Sequence, residues 1–396
     1  MRRCILLAAL LIAANGAHAQ DAARRLAQDA VIVDTHVDAP GILMDKWADL
    51  GIEARDREFD YPKARAGGLD VAFMSIYTSH GQDTDGSAWQ VANRMIDGVH
   101  ALVQRHPGRF ALLTSPADVA RLREGGRVLL PLGMENGAPL GDKLANVQFF
   151  FDRGVRYITL AHSANNRLAD SSYALEKKWN GLSPFGRDVV REMNRVGVMV
   201  DVSHLGDASA MEAIKLSQVP VIASHSAFRH FTPDFERNIS DEVARAVAAK
   251  GGVIQIPFGT AFIDPASAAD TQAYFRAVND FERNNAVLKA QGQPPKDRAA
   301  FEKLWNEAHP PRASTMLQVL DQIDYGVKLL GIDHVGIGSD FDGVGGELPP
   351  ELKTVADFPH LVAGLQARGY KDGDIRKILG GNLLRAWTAI EAGAGK

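Results

Sequence analysis

The feature that most constrains the fold of this sequence is a series of eight short apolar segments rich in Val and Ile. Their hydrophobicity is nearly continuous rather than alternating, which is typical of strands covered on both faces, as in parallel sheets. Helix-period segments lie between most of them, so strand and helix are predicted to alternate. The eight segments are residues 31–36, 70–78, 127–135, 155–162, 196–204, 219–225, 252–259 and 334–340.

The intervening segments resemble the helices of a barrel. Residues 183–195 begin with Ser183 and Pro184, which suit an N-cap and a first helical position. Eight βα units favour a closed (β/α)₈ TIM barrel of the α/β class, and no G-x-G-x-x-G turn follows the first strand to favour a dinucleotide-binding sheet. We therefore predict a single barrel domain over residues 20–396.

Residues 262–311 interrupt this alternation with a polar, Ala-rich stretch that closes in Pro310-Pro311. We predict a helical insertion between strands seven and eight of the barrel. It is a candidate lid or subunit contact. A solvated excursion without a role is an equally good interpretation, because long insertions in surface loops are well tolerated.

The first residues have the pattern of an export signal. Arg2 and Arg3 precede the apolar run 5–14, and an A-x-A cleavage site ends at Ala19. The run is about half of the roughly 20 residues that a membrane anchor needs. We expect residues 1–19 to be removed, which predicts a periplasmic or secreted protein.

The rest of the composition excludes several classes of protein. The only cysteine, Cys4, lies within the predicted signal, so the mature chain must be stabilised by core burial without disulfides. The formal charge of −4 gives no basis for binding nucleic acid. No later apolar run is long enough for an integral membrane anchor.

Six of the eight predicted strands have a His, Asp or Glu at or beside the C-terminal end. In a barrel all of these ends open on the same rim, where the active sites of this fold are found. Residues far apart in sequence are therefore expected to meet in one site. They are His36, Glu135, His162, His204, His225 and Asp340.

The rim residues predict a pair of metal ions. His36 and Asp38 are two positions apart, which places both side chains on one face of an extended segment. Together with His204 and His225 they offer the imidazole and carboxylate ligands that suit zinc. With Glu135 counted, three histidines and two carboxylates exceed what one four-coordinate ion uses. Glu135 has two oxygens and can bridge. Two such ions can share a water, lower its pKa and hold the hydroxide for attack on a carbonyl, so hydrolysis is the predicted reaction.

His162 and Asp340 are the two rim residues that are not assigned to the metal ions. A histidine beside the site can polarise a carbonyl oxygen as its charge develops, and an aspartate can pass a proton from the attacking hydroxide to a departing amine. Either residue can instead be another metal ligand, and the residue pattern leaves both interpretations open.

A set of longer motifs then gives the sequence a family resemblance. The motifs occur in order from residue 34 to residue 387, and the sequence that carries them resembles the zinc-dependent membrane dipeptidases, also called renal-type dipeptidases. The motifs are DTHVDAP, GMENG, RYITLAHSANNRLADSS, SPFGRDVVREMNRVGVMVDVSH, ASHSAF, ERNIS, GIGSDFDGV and GGNLLRAW.

The resemblance implies a (β/α)₈ barrel with two zinc ions. His36 and Asp38 would bind one ion, His204 and His225 would bind the other, and Glu135 would bridge them.

The resemblance also assigns roles beyond the metals. His162 would contact the scissile carbonyl oxygen or the tetrahedral intermediate, and Asp340 would shuttle the proton. Arg237, in ERNIS, would hold the terminal carboxylate of the substrate, since a planar guanidinium suits a carboxylate. The motifs depart from the family at Val37, where the usual pattern is H-N-D, and at Leu168, where a tryptophan is frequent. These changes bear on hydrogen bonding near the ligands and on side-chain preference.

The predicted activity is hydrolysis of the single peptide bond of small dipeptides. The resemblance implies tolerance for a D-amino acid at the C-terminal position, and a homodimer is expected by analogy. One alternative is an amidohydrolase-type barrel acting on cyclic amides or lactones. It is less favoured because such barrels commonly begin with H-x-H, whereas this chain has H-x-D. The other alternative is a non-catalytic periplasmic binding protein, which would be expected to have lost a ligand.

Overall fold

The structure is a computed structural model that describes residues 20–395. The predicted signal peptide, with Cys4, lies outside the described residues. The described chain forms one sheet of ten parallel strands surrounded by helices. The strands are β1 Ile32–Val37, β2 Leu69–Tyr77, β3 Phe110–Leu112, β4 Val128–Leu130, β5 Leu132–Glu135, β6 Val155–Thr159, β7 Met199–Asp201, β8 Ile222–Ala223, β9 Val253–Ile256 and β10 Val335–Ile337.

Eight of these strands close into a barrel. Pairing runs from β10 through β9, β8, β7, β6 and β5 to β2, and β1 pairs with the other edge of β2. A parallel bridge between Val37 and Phe341 joins β1 to the end of β10, and the Asp38 N–H donates to the Phe341 carbonyl at 2.8 Å. The predicted (β/α)₈ barrel is therefore confirmed.

The prediction of a single third strand over residues 127–135 was wrong in detail. Proline breaks the segment at Pro131, because it has no N–H to donate to a ladder. The first half, β4, pairs with β3 outside the barrel, and the second half, β5, continues the barrel between β2 and β6. Strand β3 was not predicted at all, since it has only three residues.

Helices pack outside the barrel. Ser183 caps α8 by accepting from the Gly186 N–H, and Ser240 caps α10 by accepting from the Val243 N–H. The helices are α1 20–29, α2 Ala39–Asp45, α3 Tyr61–Gly67, α4 His80–Asp85, α5 Ala88–Arg105, α6 Val119–Leu122, α7 Ala145–Asp152, α8 Pro184–Val196, α9 Asp207–Leu216, α10 Asp241–Ala249, α11 Thr260–Ile263, α12 Pro265–Ala290, α13 Arg298–Ala308, α14 Met316–Leu330, α15 Phe358–Ala367, α16 Asp372–Arg376 and α17 Asn382–Gly393.

The predicted insertion is helical and lies between β9 and β10, the seventh and eighth barrel strands. It contains α12 and α13, and α12 begins at Pro265 with the Asp264 side chain as its N-cap. Phe275 of α12 stacks on Tyr173 of the loop after β6, with ring centroids 4.0 Å apart. The insertion therefore reaches the mouth of the barrel, as the lid interpretation requires.

Apolar side chains fill the space between strands and helices. Every residue of β1 is buried, and so is every residue of β2 except Tyr77. This double-sided burial is the physical reason that the apolar segments are nearly continuous in sequence. Within residues 20–395, none of the helices has both the length and the apolar character needed to cross a bilayer.

Candidate metal centre and active site

The predicted rim residues meet around the carboxylate of Glu135, which β5 delivers to the mouth of the barrel. Its Oε1 atom lies 3.3 Å from His162 Nε2, 3.1 Å from His204 Nε2 and 3.4 Å from His225 Nε2. Its Oε2 atom lies 3.5 Å from His36 Nε2. The two oxygens of one carboxylate thus face different imidazoles.

Two donor groups flank Glu135. On one side His36 Nε2 lies 3.3 Å from Asp38 Oδ2, and on the other side His204 Nε2 lies 2.8 Å from His225 Nε2. These are the two pairs that the resemblance assigns to separate ions. Residues drawn from four strand ends therefore form a compact donor set with Glu135 at its centre.

The donor set fits divalent metal. His36 Nε2 is buried and has no hydrogen-bond partner within the described chain, although it points at two carboxylates. Imidazole nitrogen and carboxylate oxygen are the ligands that zinc accepts. Ligand atoms that lie within 4.8 Å of one another form three groups, which are His36/Glu135/His225, Glu135/His162/His204 and His36/Asp38/Asp340. The geometry therefore keeps His162 and Asp340 near enough to the donors to serve as ligands as well.

The histidines of the site differ in how their surroundings shift their pKa values. It lowers the pKa of both His204 and His225 well below the usual value, and the nearby Arg237 guanidinium acts in the same direction. Burial also opposes protonation of His36, but Tyr157 and the Asp38 carboxylate outweigh it and raise the pKa of His36. Neutral imidazoles are the form that binds metal, so His204 and His225 are prepared to act as ligands.

Asp340 lies beside Asp38 at the end of β10. Burial and the neighbouring Asp38 raise the pKa of Asp340 well above its usual value. Gly343 follows in the same turn, and a Cβ there would overlap carboxylate oxygens of both aspartates. The turn therefore requires glycine at this position to bring the two carboxyl groups together.

Two site residues adopt left-handed backbone conformations. His204 has φ of 66° and Asp340 has φ of 67°, and each follows the last residue of its strand by three positions. Such conformations cost on the order of 1 kcal/mol for residues other than glycine. They turn these side chains into the mouth, which strand periodicity alone does not predict.

Arg237 lies inside the site rather than on a surface loop. It is 2% exposed, its guanidinium lies 4.8 Å from the ring centroid of Phe262, and Nη2 lies 3.0 Å from His204 Nε2. Nη1 donates to Ser226 Oγ and Nη2 donates to the His225 carbonyl oxygen, while the buried Nε has no partner in the described chain. The loop after β8 thus brings a cation against His204 and His225, two of the predicted metal ligands.

Comparison with known proteins identifies the family. The model of the membrane dipeptidase family, peptidase family M19, matches residues 20–396. The chain belongs to the membrane dipeptidase family. It is therefore a metal-dependent dipeptidase, and the family resemblance of its motifs is confirmed.

Individual relatives agree with this assignment. The chain is 29% identical over 384 residues to a dipeptidase, verJ, of Clonostachys rogersoniana, covering 93% of this chain and 86% of that one. It is 28% identical to the crystal structure of the probable dipeptidase PvdM from Pseudomonas aeruginosa, with a TM-score of 0.80, covering 95% and 99% of the two chains. A metallo peptidase from Rhodobacter sphaeroides, solved with a phosphinate mimic of L-Ala-D-Ala, shares the fold at 22% identity with a TM-score of 0.74, covering 91% and 99%.

Sequence reasoning missed the groups that orient the ligands of this dipeptidase. The Tyr157 hydroxyl lies 2.8 Å from His36 Nδ1, and Ser224 Oγ lies 2.8 Å from His225 Nδ1, so Nε2 of each ring faces the site. Ser224 was detectable as the residue before His225. No sequence signal marked Tyr157, whose ring fills the space that a Cβ on Gly133 would occupy in the folded chain.

Sequence reasoning also missed the aromatic walls of the mouth. A cavity of about 680 Å³ opens above the donor set, and its walls include Tyr77, Tyr173, Phe262 and Phe275. Tyr77 contacts His162 at a ring-centroid distance of 4.7 Å. Tyr77 ends β2, Tyr173 lies in the loop after β6, and Phe262 and Phe275 lie between β9 and β10. No local pattern marks them.

The two departures from the family motifs lie in the core. Val37 is fully buried in β1 and takes part in the bridge that closes the barrel. Leu168 is also fully buried, and its side chain occupies the space where a Cβ on Gly137 would lie. Neither side chain lines the cavity of this dipeptidase.

Proposed function

We propose that this enzyme is an exported zinc dipeptidase that hydrolyses small dipeptides with two zinc ions and tolerates a D-amino acid at the C-terminal position. The observation that carries the proposal is that the two carboxylate oxygens of Glu135 face different candidate ligands. Oε2 faces His36 beside Asp38, and Oε1 faces His204 and His225. A bridging carboxylate requires such a division.

Zinc ions, when bound, lower the pKa of a coordinated water and polarise the carbonyl of the substrate. The chain supplies the remaining chemistry. His162, with its side chain 19% exposed at the edge of the donor set, is placed to donate to the carbonyl oxygen as negative charge develops. Water adds to the carbonyl carbon and the C–N bond breaks, so one proton must pass to the departing amine.

Asp340 is the proposed carrier of that proton. It lies in the group with His36 and Asp38, and its raised pKa favours holding a proton. A carboxyl group that accepts and then releases a proton within the site fits this role.

Arg237 is the proposed anchor for the terminal carboxylate of the substrate. Its guanidinium lies beside His204, and the unpartnered Nε leaves a donor for an anion. An anchored terminal carboxylate next to the metal centre explains a preference for dipeptides over longer chains, because a longer chain has no carboxylate at that distance.

The remaining parts of the proposal have separate support. Tolerance for a C-terminal D-residue is supported by the resemblance and by the ligand of the Rhodobacter sphaeroides structure. Export rests on the pattern of residues 1–19. A homodimer rests on analogy alone. An amidohydrolase-type barrel acting on cyclic amides would be expected to begin with H-x-H, whereas this chain has H-x-D. A non-catalytic protein would be expected to have lost a ligand, whereas all five proposed ligands are present.

The experiment is a panel of L,L and L,D dipeptides assayed on one sample whose metal content is measured. Verified removal of metal should abolish hydrolysis, and zinc should restore it. Arg237→Ala should mainly raise KM for substrates with a free C-terminus. Unchanged hydrolysis after metal removal would show that the chemistry is different.

A further inference from the structure

The mouth of the barrel contains a basic group that the proposed reaction does not use. Among the side chains of the described chain that line the cavity, Arg94 of α5 is the only Lys or Arg. It is exposed, and no Asp or Glu oxygen of residues 20–395 lies within 4.0 Å of it. Val91 and Met95 line the cavity with it. Residues three and four apart share one face of a helix, so one face of α5 forms a wall of the cavity.

Arg94 and Arg237 belong to opposite sides of the mouth. Helix α5 follows β2, and the loop that carries Arg237 follows β8. Four steps separate β2 from β8 in either direction around the eight-stranded ring. In the ring, the strands that carry or precede His36, Glu135 and His204, which are β1, β5 and β7, lie between β2 and β8.

The placement of the substrate follows from the positions of Arg94 and Arg237 on opposite sides of the mouth. If Arg237 holds the terminal carboxylate and the peptide bond lies at the metal ligands, the N-terminal residue extends toward α2 and α5. The wall there is apolar at Ile42, Met44 and Val91 and carries a guanidinium at Arg94. An apolar wall with a cation at its edge matches a side chain with a methylene stem and a carboxylate end.

We propose that Arg94 gives the enzyme a preference for dipeptides whose N-terminal residue has a carboxylate side chain. This inference rests on the proposed dipeptidase function and names its substrate class. Arg94 acts as a specificity residue that contacts the substrate away from the bond that is broken.

Asp45 works against this preference and provides an internal test. It lies at the end of α2, lines the same cavity and is exposed. It repels the acidic side chain that Arg94 attracts, and no ion pair joins the two residues. Asp45→Asn should therefore increase the preference, whereas Arg94→Met should remove it.

The experiment compares L-Glu-D-Ala with L-Gln-D-Ala, which have nearly the same shape and differ in charge. With the zinc-loaded wild type, kcat/KM should be about tenfold higher for the Glu substrate, as for a charge-assisted contact in a partly open site. Arg94→Met should bring the ratio close to one, and Arg94→Glu should shift the preference to L-Lys-D-Ala. Arg105→Met, at the far end of α5 where Arg105 pairs with Asp49, is the matched control and should leave the ratio unchanged.

Three outcomes would overturn the inference. One is a wild-type ratio near one, and another is a ratio that Arg94→Met leaves unchanged with kcat/KM near the wild-type value on both substrates. The third is an equal loss on both substrates, which would mean that Arg94 binds the terminal carboxylate instead. If the zinc-loaded enzyme hydrolyses no dipeptide of the panel, the proposed function fails and the inference fails with it, and this result differs from all three.

Discussion

The rim of the barrel has an imidazole side and a carboxyl side, which respond to burial in opposite ways. On the imidazole side, burial lowers the pKa of His204 and His225 and leaves them neutral. On the carboxyl side, burial raises the pKa of Asp340 well above its usual value and that of Asp342 to about 6. Both sides therefore avoid charge when no cation is present. A divalent cation resolves both cases, because it binds neutral imidazole and stabilises ionised carboxylate.

Glu135 connects the two sides and, like His36, is an exception to this behaviour. Its burial opposes ionisation, but His36 and His162 outweigh that effect and lower its pKa well below the usual value. Glu135 therefore remains an anion inside the barrel. The contrast between Glu135 and its neighbours shows what prepares the rim for a metal ion. One carboxylate stays ionised between imidazole and carboxyl groups that burial keeps neutral.

The largest expected effect comes from removing that connection. Glu135→Ala deletes both oxygens at once, so we expect kcat/KM to fall about 1,000-fold, or about 4 kcal/mol, and bound zinc to fall from the proposed two ions per chain to one or fewer. Activity and metal content should be measured on the same sample. Glu124→Ala, at an exposed glutamate, is the control. Normal activity of Glu135→Ala would show that the two-metal mechanism is wrong.

A smaller effect tests the carboxyl side. Asp340→Asn removes the proposed proton carrier, and we expect kcat to fall about 100-fold or more while the zinc content remains unchanged. The pH–rate profile should lose the limb that reports this group. Asp142→Asn, at an exposed aspartate, is the control. A parallel loss of zinc would instead assign Asp340 as a ligand, the interpretation that its grouping with His36 and Asp38 keeps open.

The groups behind the imidazoles should have a weaker influence. Tyr157→Phe removes the hydroxyl that lies 2.8 Å from His36 Nδ1, and we expect zinc affinity to fall about tenfold, as measured by competition with a chelator. Ser224→Ala should act in the same way through His225. Tyr325→Phe removes a hydroxyl that bonds Asp241, away from the donor set, and should leave affinity unchanged. An effect on stability without one on zinc affinity would restrict Tyr157 to a packing role.

The fold and the donor set were predictable because both depend on local signals. A strand buried on both faces must be apolar along its whole length, and an acid or imidazole at its end stands out against that background. The identities of His36, Glu135, His204 and His225 follow from this contrast, and the structure brings them together. The extra strand β3 gave no such signal because it has only three residues.

The parts that were not predictable depend on contacts between distant segments. The left-handed conformation of His204, the burial of Arg237 and the stacking of Tyr173 on Phe275 are set by packing around the mouth. Arg237 was assigned through the ERNIS motif, since nothing in its immediate sequence distinguishes it from an exposed loop arginine.

The last expected effect is on stability rather than on activity or metal binding, and it concerns Glu58, a hydrogen-bond partner of Asp342. The Glu58 carboxylate accepts from the Asp342 N–H, and the Asp342 carboxylate accepts from the Glu58 N–H at 2.8 Å and the Phe59 N–H at 3.2 Å. Burial, with Asp342 and Asp38 adding to it, raises the pKa of Glu58 from 4.5 to about 7. The folded protein therefore binds this proton more tightly than the unfolded chain does.

A raised carboxyl pKa makes folding less favourable as pH increases. The contribution of Glu58 is retained below pH 4.5 and is lost as pH rises through about 7. Glu58→Gln keeps an acceptor for the Asp342 N–H without the charge, so the free energy of unfolding of the variant should exceed that of the wild type by about 1 to 2 kcal/mol at pH 8 and match it near pH 4.5. Urea denaturation at both pH values, on samples of equal metal content, measures this difference. Glu53, whose side chain is 66% exposed, provides the control, and Glu53→Gln should show no such change with pH. The same flat response in Glu58→Gln would show that folding does not raise the pKa of Glu58.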